Sequence, residues 1–289
     1  MDKVAIVTDS VAAISKELAE EYGITAIPFH IHIDGKAYLD GTIDMKWLYS
    51  RLERRGNLPT TSFPSAADNL QAYQRLAQSS KYILRISMNA AFTGGYQAAI
   101  DAKEMARELL PRTRIEIVDS RTVEGGQLLV VIEGARAAKE GKDITEICGL
   151  LDKMIPKVRL LQASETLFYR DKGGRIFKAK SWAEAQSSQS FKTIIEVDAS
   201  TNGITRPVAR AKTKGQIMEK MVSIVKEQTG NRKLHAAIVH GNVPEQAEQL
   251  KNMLLSQCHC EKIYITENSA ASGVHNGPGF VSLGFYSCD

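Results

Sequence analysis

Three times in its first 120 residues the chain runs from an apolar stretch into a polar, hydroxyl-bearing segment that leads towards a helix. Val4–Thr8 passes into Asp9-Ser10, Lys81–Ser87 into the small-residue loop Met88 to Gly95, and Arg114–Val118 into Asp119-Ser120. Short β-branched runs alternating with helical patterns are the rhythm of a βαβ sheet, because each parallel strand needs a crossover before the next. Ligands of such sheets sit outside the carboxyl ends of the strands, so these three segments should gather along one edge.

Around this frame Ile14, Leu18 and Tyr22 share a helical face that Gly23 ends. Ile24 to Ile33 reads as one strand, and Asp34-Gly35 turns it into Lys36–Leu39. Asp44 caps a helix to about Arg55, Ser65 with Asp68 makes a capping box for the next, and Pro59 to Pro64 reads as an extended loop between them. A helix follows Gly95 to about Leu110, and another spans Ile144 to Ile155.

Pro156 marks the expected boundary between domains 1–156 and 157–289. Strands are expected at Val158–Gln162 and at Phe191–Val197, the latter paired with Ile204–Ala211 across Thr201-Asn202-Gly203. Lys172 to Arg175 reads as a tight turn and Gln186 to Ser190 as a polar connector. A helix at Gln216–Glu227, a strand at Leu234–Val239, a Pro244-started helix to about Leu255, and strands near Ile263 and Val281 complete a second βαβ-like pattern. The expected fold class is α/β. It comprises two α/β domains, an N-terminal sheet with helices on both faces and a smaller mixed C-terminal domain.

Thirty-seven Lys and Arg against thirty-three Asp and Glu leave a net charge of +4 without long runs, so nucleic acid is not expected as a partner. The apolar run after Met1 is far shorter than a signal-peptide core, and no window approaches the roughly 20 apolar residues of a membrane span. A cytoplasmic location with reduced cysteines is expected. Cys258-His259-Cys260 could seed a zinc site, but no second Cys/His pair follows at zinc-finger spacing, and no metal site is expected.

Three segments could carry chemistry. Thr60-Thr61-Ser62 could offer hydroxyls and amides to an anion, or simply bond its own backbone. Thr93-Gly94-Gly95 precedes a helix whose free amides favour negative charge, and equally suits a tight strand-to-helix turn. His275-Asn276-Gly277-Pro278-Gly279 combines an imidazole, an amide and a glycine-rich turn, as a ligand segment or a hydrogen-bonded structural one. No nucleophile elbow, phosphate loop, zinc-protease or dinucleotide motif occurs. Asp9 and Asp119 end different strands and read better as caps than as an acid–base pair.

In order and spacing these segments resemble the DegV family of bacterial fatty-acid-binding proteins, which includes the lipid-binding subunit of fatty acid kinase. The likeness runs from Thr8-Asp9-Ser10 through Asp34-Gly35, Asp40-Gly41, Pro59 to Ser65, Thr93 to Gln97 and Val118-Asp119-Ser120. It continues through Lys172 to Ile176, Gly203 and Arg210 to His275–Gly279. It implies a long-chain fatty acid held between the two domains, with no other cofactor and no catalytic residue of the chain's own.

Carried over by position, Thr61, Ser62, Thr93, Gly94, His275, Asn276 and Gly277 would surround the carboxylate, and Arg175 and Arg210 would face a kinase partner. The resemblance thus implies a non-catalytic lipid carrier in lipid metabolism, loading by transient membrane contact and presenting the acid for acyl-phosphate formation. Phe63 replaces the family's usual glutamine, Thr93-Gly94-Gly95 replaces Ser-Gly-Thr or Ser-Gly-Ser, and Lys192-Thr193 stands where Lys-Pro is common. The competing expectation is a stand-alone hydrolase or phosphotransferase using Asp9, Asp119 and His275 on a small anion.

Overall fold

The computed structural model describes residues 3–183 and 191–288, so the connector 186–190 lies outside the described residues. Strands β1 (Val4–Asp9), β2 (Ile24–Ile27), β6 (Tyr82–Ser87) and β7 (Arg114–Asp119) form a parallel sheet in the order β2-β1-β6-β7. Between β2 and β6 the chain builds a separate antiparallel sheet, β4-β3-β5, from β3 (His30–Ile33), β4 (Lys36–Leu39) and β5 (Thr60–Ser62). Helices Ala66–Ala77 and Gly95–Leu109 cover one face of the parallel sheet, where Val7, Tyr73, Ile83 and Ala102 bury together. Helices Lys16–Tyr22, Glu124–Lys139 and Ile144–Met154 cover the other.

Strands β8 (Arg159–Ser164), β9 (Lys192–Glu196), β10 (Arg206–Ala211), β11 (Leu234–His240), β12 (Cys260–Glu267) and β13 (Val281–Ser287) form a mixed sheet, β10-β9-β8-β13-β11-β12. Only β11 and β12 pair in parallel, so the second βαβ-like pattern reduces to one unit in an otherwise antiparallel sheet. Helices Lys214–Thr229 and Pro244–Gln257 bury Met221, Val225, Leu250 and Leu254 against one face.

Three sequence expectations change. Ile24–Ile33 is not one strand, because Pro28 has no N–H to continue a ladder, and β2 and β3 enter different sheets. The segment between Pro59 and Pro64 is not a free loop: Thr61 pairs with Ile31, making β5 an edge strand bracketed by two prolines. His275 and Asn276 end a helix, Ala270–Asn276, capped by Ser269 and closed by Gly277 at φ 75°. Its small residues carry too little hydrophobic contrast to show a helical period.

The helix Glu124–Lys139 leaves no periodic signal because it has no solvent face through most of its length: Glu124 to Ile132 are all buried. It lies between the two large sheets, and one core joins its residues to Ile6 and Leu84 on one side and to Ala237 and Tyr286 on the other. Glycine permits this closeness. A methyl group on Gly284 would sit 2.4 Å from the Gly125 carbonyl carbon, and one on Gly125 would sit 2.7 Å from the Ala237 carbonyl oxygen. Backbone meets backbone there, so Gly284→Ala must push the helix off the sheet. Urea unfolding of that variant should show a loss of about 3 kcal/mol.

Candidate functional site

The carboxyl ends of β1, β6 and β7 do gather. Met88 N–H donates to Asp9 (3.0 Å) and Ala90 N–H to Asp119 (3.3 Å). Above them opens a narrow cleft, partly open to solvent, with a cavity volume of about 50 Å³. Val11, Phe29, Met88, Phe92, Val123 and Ala271 give it apolar walls, and Thr61, Thr93, Glu124, Arg170, Arg175, Ser272, His275 and Asn276 give it polar groups.

Thr61 projects into the cleft because strand alternation puts it on the face shared with its buried partner Ile31. Its hydroxyl lies 2.9 Å from His275 Nε2, although 214 residues separate the two. His275 is held there by a chain of hydrogen bonds at the start of its helix. Phe29 N–H donates to Ser10 Oγ (3.1 Å), Ser10 donates to Asp40 (2.6 Å), and Asp40 accepts from Ala270 N–H (2.8 Å). On its other side the imidazole lies against Gly173, where a methyl group would come within 2.3 Å of Nδ1. The Lys172–Arg175 turn thus carries Arg175 to the cleft wall.

Beneath this end lies a closed polar ring. Arg170 Nη2 donates to the carbonyl oxygens of Gln162 (2.9 Å) and Asn276 (2.5 Å), whose amides donate to the two Glu124 oxygens at 2.8 and 2.5 Å. Two amides therefore relay between a buried guanidinium and a buried carboxylate, which is how paired charges survive desolvation. Glu124 opens its helix with a left-handed φ of 48°, a strained setting that its two amide partners hold. Arg170 Nε has no partner among the described residues. Sequence reading missed Glu124, Gln162 and Arg170, since a lone Glu before two glycines signals nothing until the sheets meet.

Other candidates lie elsewhere. Ser62 points to the opposite strand face, its hydroxyl 2.9 Å from His32. Gly94 makes room for Phe63, whose ring carbon would be 2.9 Å from a methyl group at Gly94; Phe63 does not line the cleft. Gly277 lies against the Tyr169 ring. Asp9 is buried with Arg85 (3.2 Å), Asp119 bonds the Ala90 and Arg121 amides, and neither lines the cleft with His275. Arg210 is exposed and lies over the Trp182 and Phe191 rings, 5.9 and 5.4 Å from their centroids. Cys258 and Cys260 turn towards the apolar core beneath helices Lys214–Thr229 and Pro244–Gln257.

Burial, and then the charges of Arg175 and Arg170, push the His275 pKa from 6.5 down to about 3, so its imidazole is neutral. Burial likewise raises the Glu124 pKa, against the pull of Arg170 and the two amides. Below pH 6.5 the unfolded chain protonates His275 and the folded chain does not. The stability held by a neutral His275 is therefore complete above pH 6.5 and is lost as pH falls towards 3. Urea midpoints should show wild-type stability falling on acidification below 6.5 more steeply than that of His275→Gln, by up to about 1.4 kcal/mol per pH unit.

The chain matches the model of the DegV family of uncharacterised proteins over residues 3–287. It is 27% identical over 287 residues to a DegV domain-containing protein of Caldanaerobacter subterraneus subsp. tengcongensis, covering 99% of each chain. A counterpart in Clostridium perfringens is 28% identical over 284 residues, 98% of each. Among solved structures, a fatty-acid-binding DegV family protein from Thermus thermophilus superposes with a TM-score of 0.90 at 20% identity, covering 99% of both chains. A DegV family protein of Eubacterium eligens, loaded with heptadecanoic acid, gives 0.87 at 19% identity over 98% of this chain and 99% of that one. The chain belongs to the DegV family.

Proposed function

We propose that this protein binds a long-chain fatty acid in the cleft between halves 1–156 and 157–289 and presents its carboxyl group to a kinase. The observation that carries the reading is the composition of the cleft, whose apolar walls meet a polar group made of the Thr61–His275 pair with Arg175 and Arg170. Burial of each methylene is worth about 0.8 kcal/mol, so a sixteen-carbon tail supplies on the order of 10 kcal/mol before entropic costs. Tail burial gives affinity. The head sets orientation, because a carboxylate left unpaired in such a cleft is costly. The family's fatty-acid-bound relatives support the same ligand class.

A carboxylate can only accept hydrogen bonds, so Thr61 would donate its hydroxyl proton to the ligand and accept one from His275 Nε2–H. Neutral His275 thus acts as a positioning residue that turns the Thr61 proton outward, while Arg175 supplies charge. Nothing in this scheme activates a nucleophile, and phosphoryl transfer would be the partner's work. Arg210, exposed over two aromatic rings, is the residue we assign to that partner's surface.

Native mass spectrometry of the protein as purified, and after addition of palmitate or oleate, should show one bound fatty acid; failure to retain any would remove the proposal. Thr61→Val should weaken binding at least about 10-fold, the cost of one hydrogen bond to a charged group. Arg210→Ala should leave that affinity unchanged and reduce only kinase-dependent acyl-phosphate formation, followed by phosphate transfer in the presence of the kinase.

A further inference from the structure

On the face of the six-stranded sheet that packs against the helix Glu124–Lys139, beside Glu133 and outside the cleft, His235, Glu261 and Cys288 offer one ligand atom each within 4.8 Å of one another. We propose that these three side chains form a binding site for a zinc-type divalent cation, tying the end of β13 to β11 and β12. The backbone builds the site. His235 on β11 pairs with Tyr286 on β13, and Cys288, two residues on, shares its face and donates its N–H to Lys233 (2.9 Å). On the other side the β11–β12 register slips, Leu234 pairing with Cys260 and His235 with Lys262. Glu261 is the extra residue of that bulge, and its carboxylate reaches to 3.8 Å from His235 Nε2. Bulges re-aim single side chains in this way beside functional sites.

The histidine is pre-oriented. Its Nδ1 lies 3.1 Å from Glu133 Oε1 and 2.8 Å from the Tyr286 hydroxyl, and its ring stands edge-on to Tyr286 at 5.3 Å. A carboxylate on Nδ1–H fixes the tautomer that leaves the Nε2 lone pair bare towards Glu261 and Cys288, the second-shell arrangement of metal-bound histidines. Bonds of about 2.0–2.3 Å to zinc put tetrahedral ligand atoms roughly 3.3–3.8 Å apart. Glu261, with its side chain 47% exposed, is able to make that small closing movement.

Charge and softness choose the ion. Arg136, Lys153, Lys157 and Lys262 line the adjoining cleft, so a site of net positive charge would be opposed. A divalent ion bound by a Glu261 carboxylate and a Cys288 thiolate is neutral overall. Binding breaks the Cys288 S–H bond, releases its proton to solvent and forms the S–metal bond. A mixed nitrogen, sulfur and oxygen set favours zinc over magnesium or calcium.

The test uses the untagged full chain, stripped with chelator and titrated with Co²⁺ and then Zn²⁺. One equivalent of Co²⁺ should bind with a near-ultraviolet thiolate-to-cobalt charge-transfer band, be displaced by Zn²⁺, and release about one proton per ion. Cys288→Ser should abolish the band and weaken binding at least 100-fold. Glu261→Gln, a change on a half-exposed side chain that leaves the fold intact, should weaken it about 10-fold, and Glu133→Gln about 10–100-fold. Cys258→Ser with Cys260→Ser should change neither band nor affinity. No stoichiometric uptake, or uptake indifferent to both Cys288→Ser and Glu261→Gln, overturns the proposal.

Discussion

Everything in this fold hangs on one close contact, the helix Glu124–Lys139 lying backbone to backbone on the six-stranded sheet at Gly125 and Gly284 while its other side fills the core of the parallel sheet. Two sheets that share a helix cannot shift independently without exposing Leu128 to Ile132, all fully or almost fully buried. That contact also sets where Glu124 lies, and through Gln162, Arg170 and Asn276 it sets the floor of the cleft. The cleft is thus a by-product of how the two large sheets are fastened to one helix.

The electrostatics of the cleft follow from burial. Two arginines lie near one imidazole, and desolvation together with their charges keeps that imidazole neutral. Neutrality suits a positioning role, since a neutral histidine can direct the Thr61 hydroxyl without adding a third buried cation. The negative counterpart, Glu124, is already engaged by two amides, and Arg170 Nε has no hydrogen-bond partner among the described residues.

Much of the frame was legible in the chain. The parallel strands announced themselves as short apolar runs with polar ends, and Gly23, Asp44 and the Ser65–Asp68 box closed or opened helices at the residues where the structure has them. Failures occurred where periodicity carried no information. Glu124–Lys139 is buried on every side, so its apolar pattern has no polar face to contrast with. Ala270–Asn276 is made of residues too small to mark one. Ile24–Ile33 hid a change of sheet at a single proline.

By itself the sequence determined the local grammar: which stretches are strands, where helices are capped, that Thr61, Thr93 and His275 sit in polar segments beside prolines or glycines, and which family the whole order resembles. Those are properties of neighbouring residues, set by side-chain size, branching and hydrogen bonding to nearby backbone. Only the tertiary structure decided which hydroxyl faces inward, since Thr61 and Ser62 differ by one step of strand alternation. It alone brought Glu124, Gln162, Arg170 and Asn276 into one ring, and His235, Glu261 and Cys288 onto one sheet face. Contacts between residues on different elements are made by the packing of whole elements, and no local pattern encodes that.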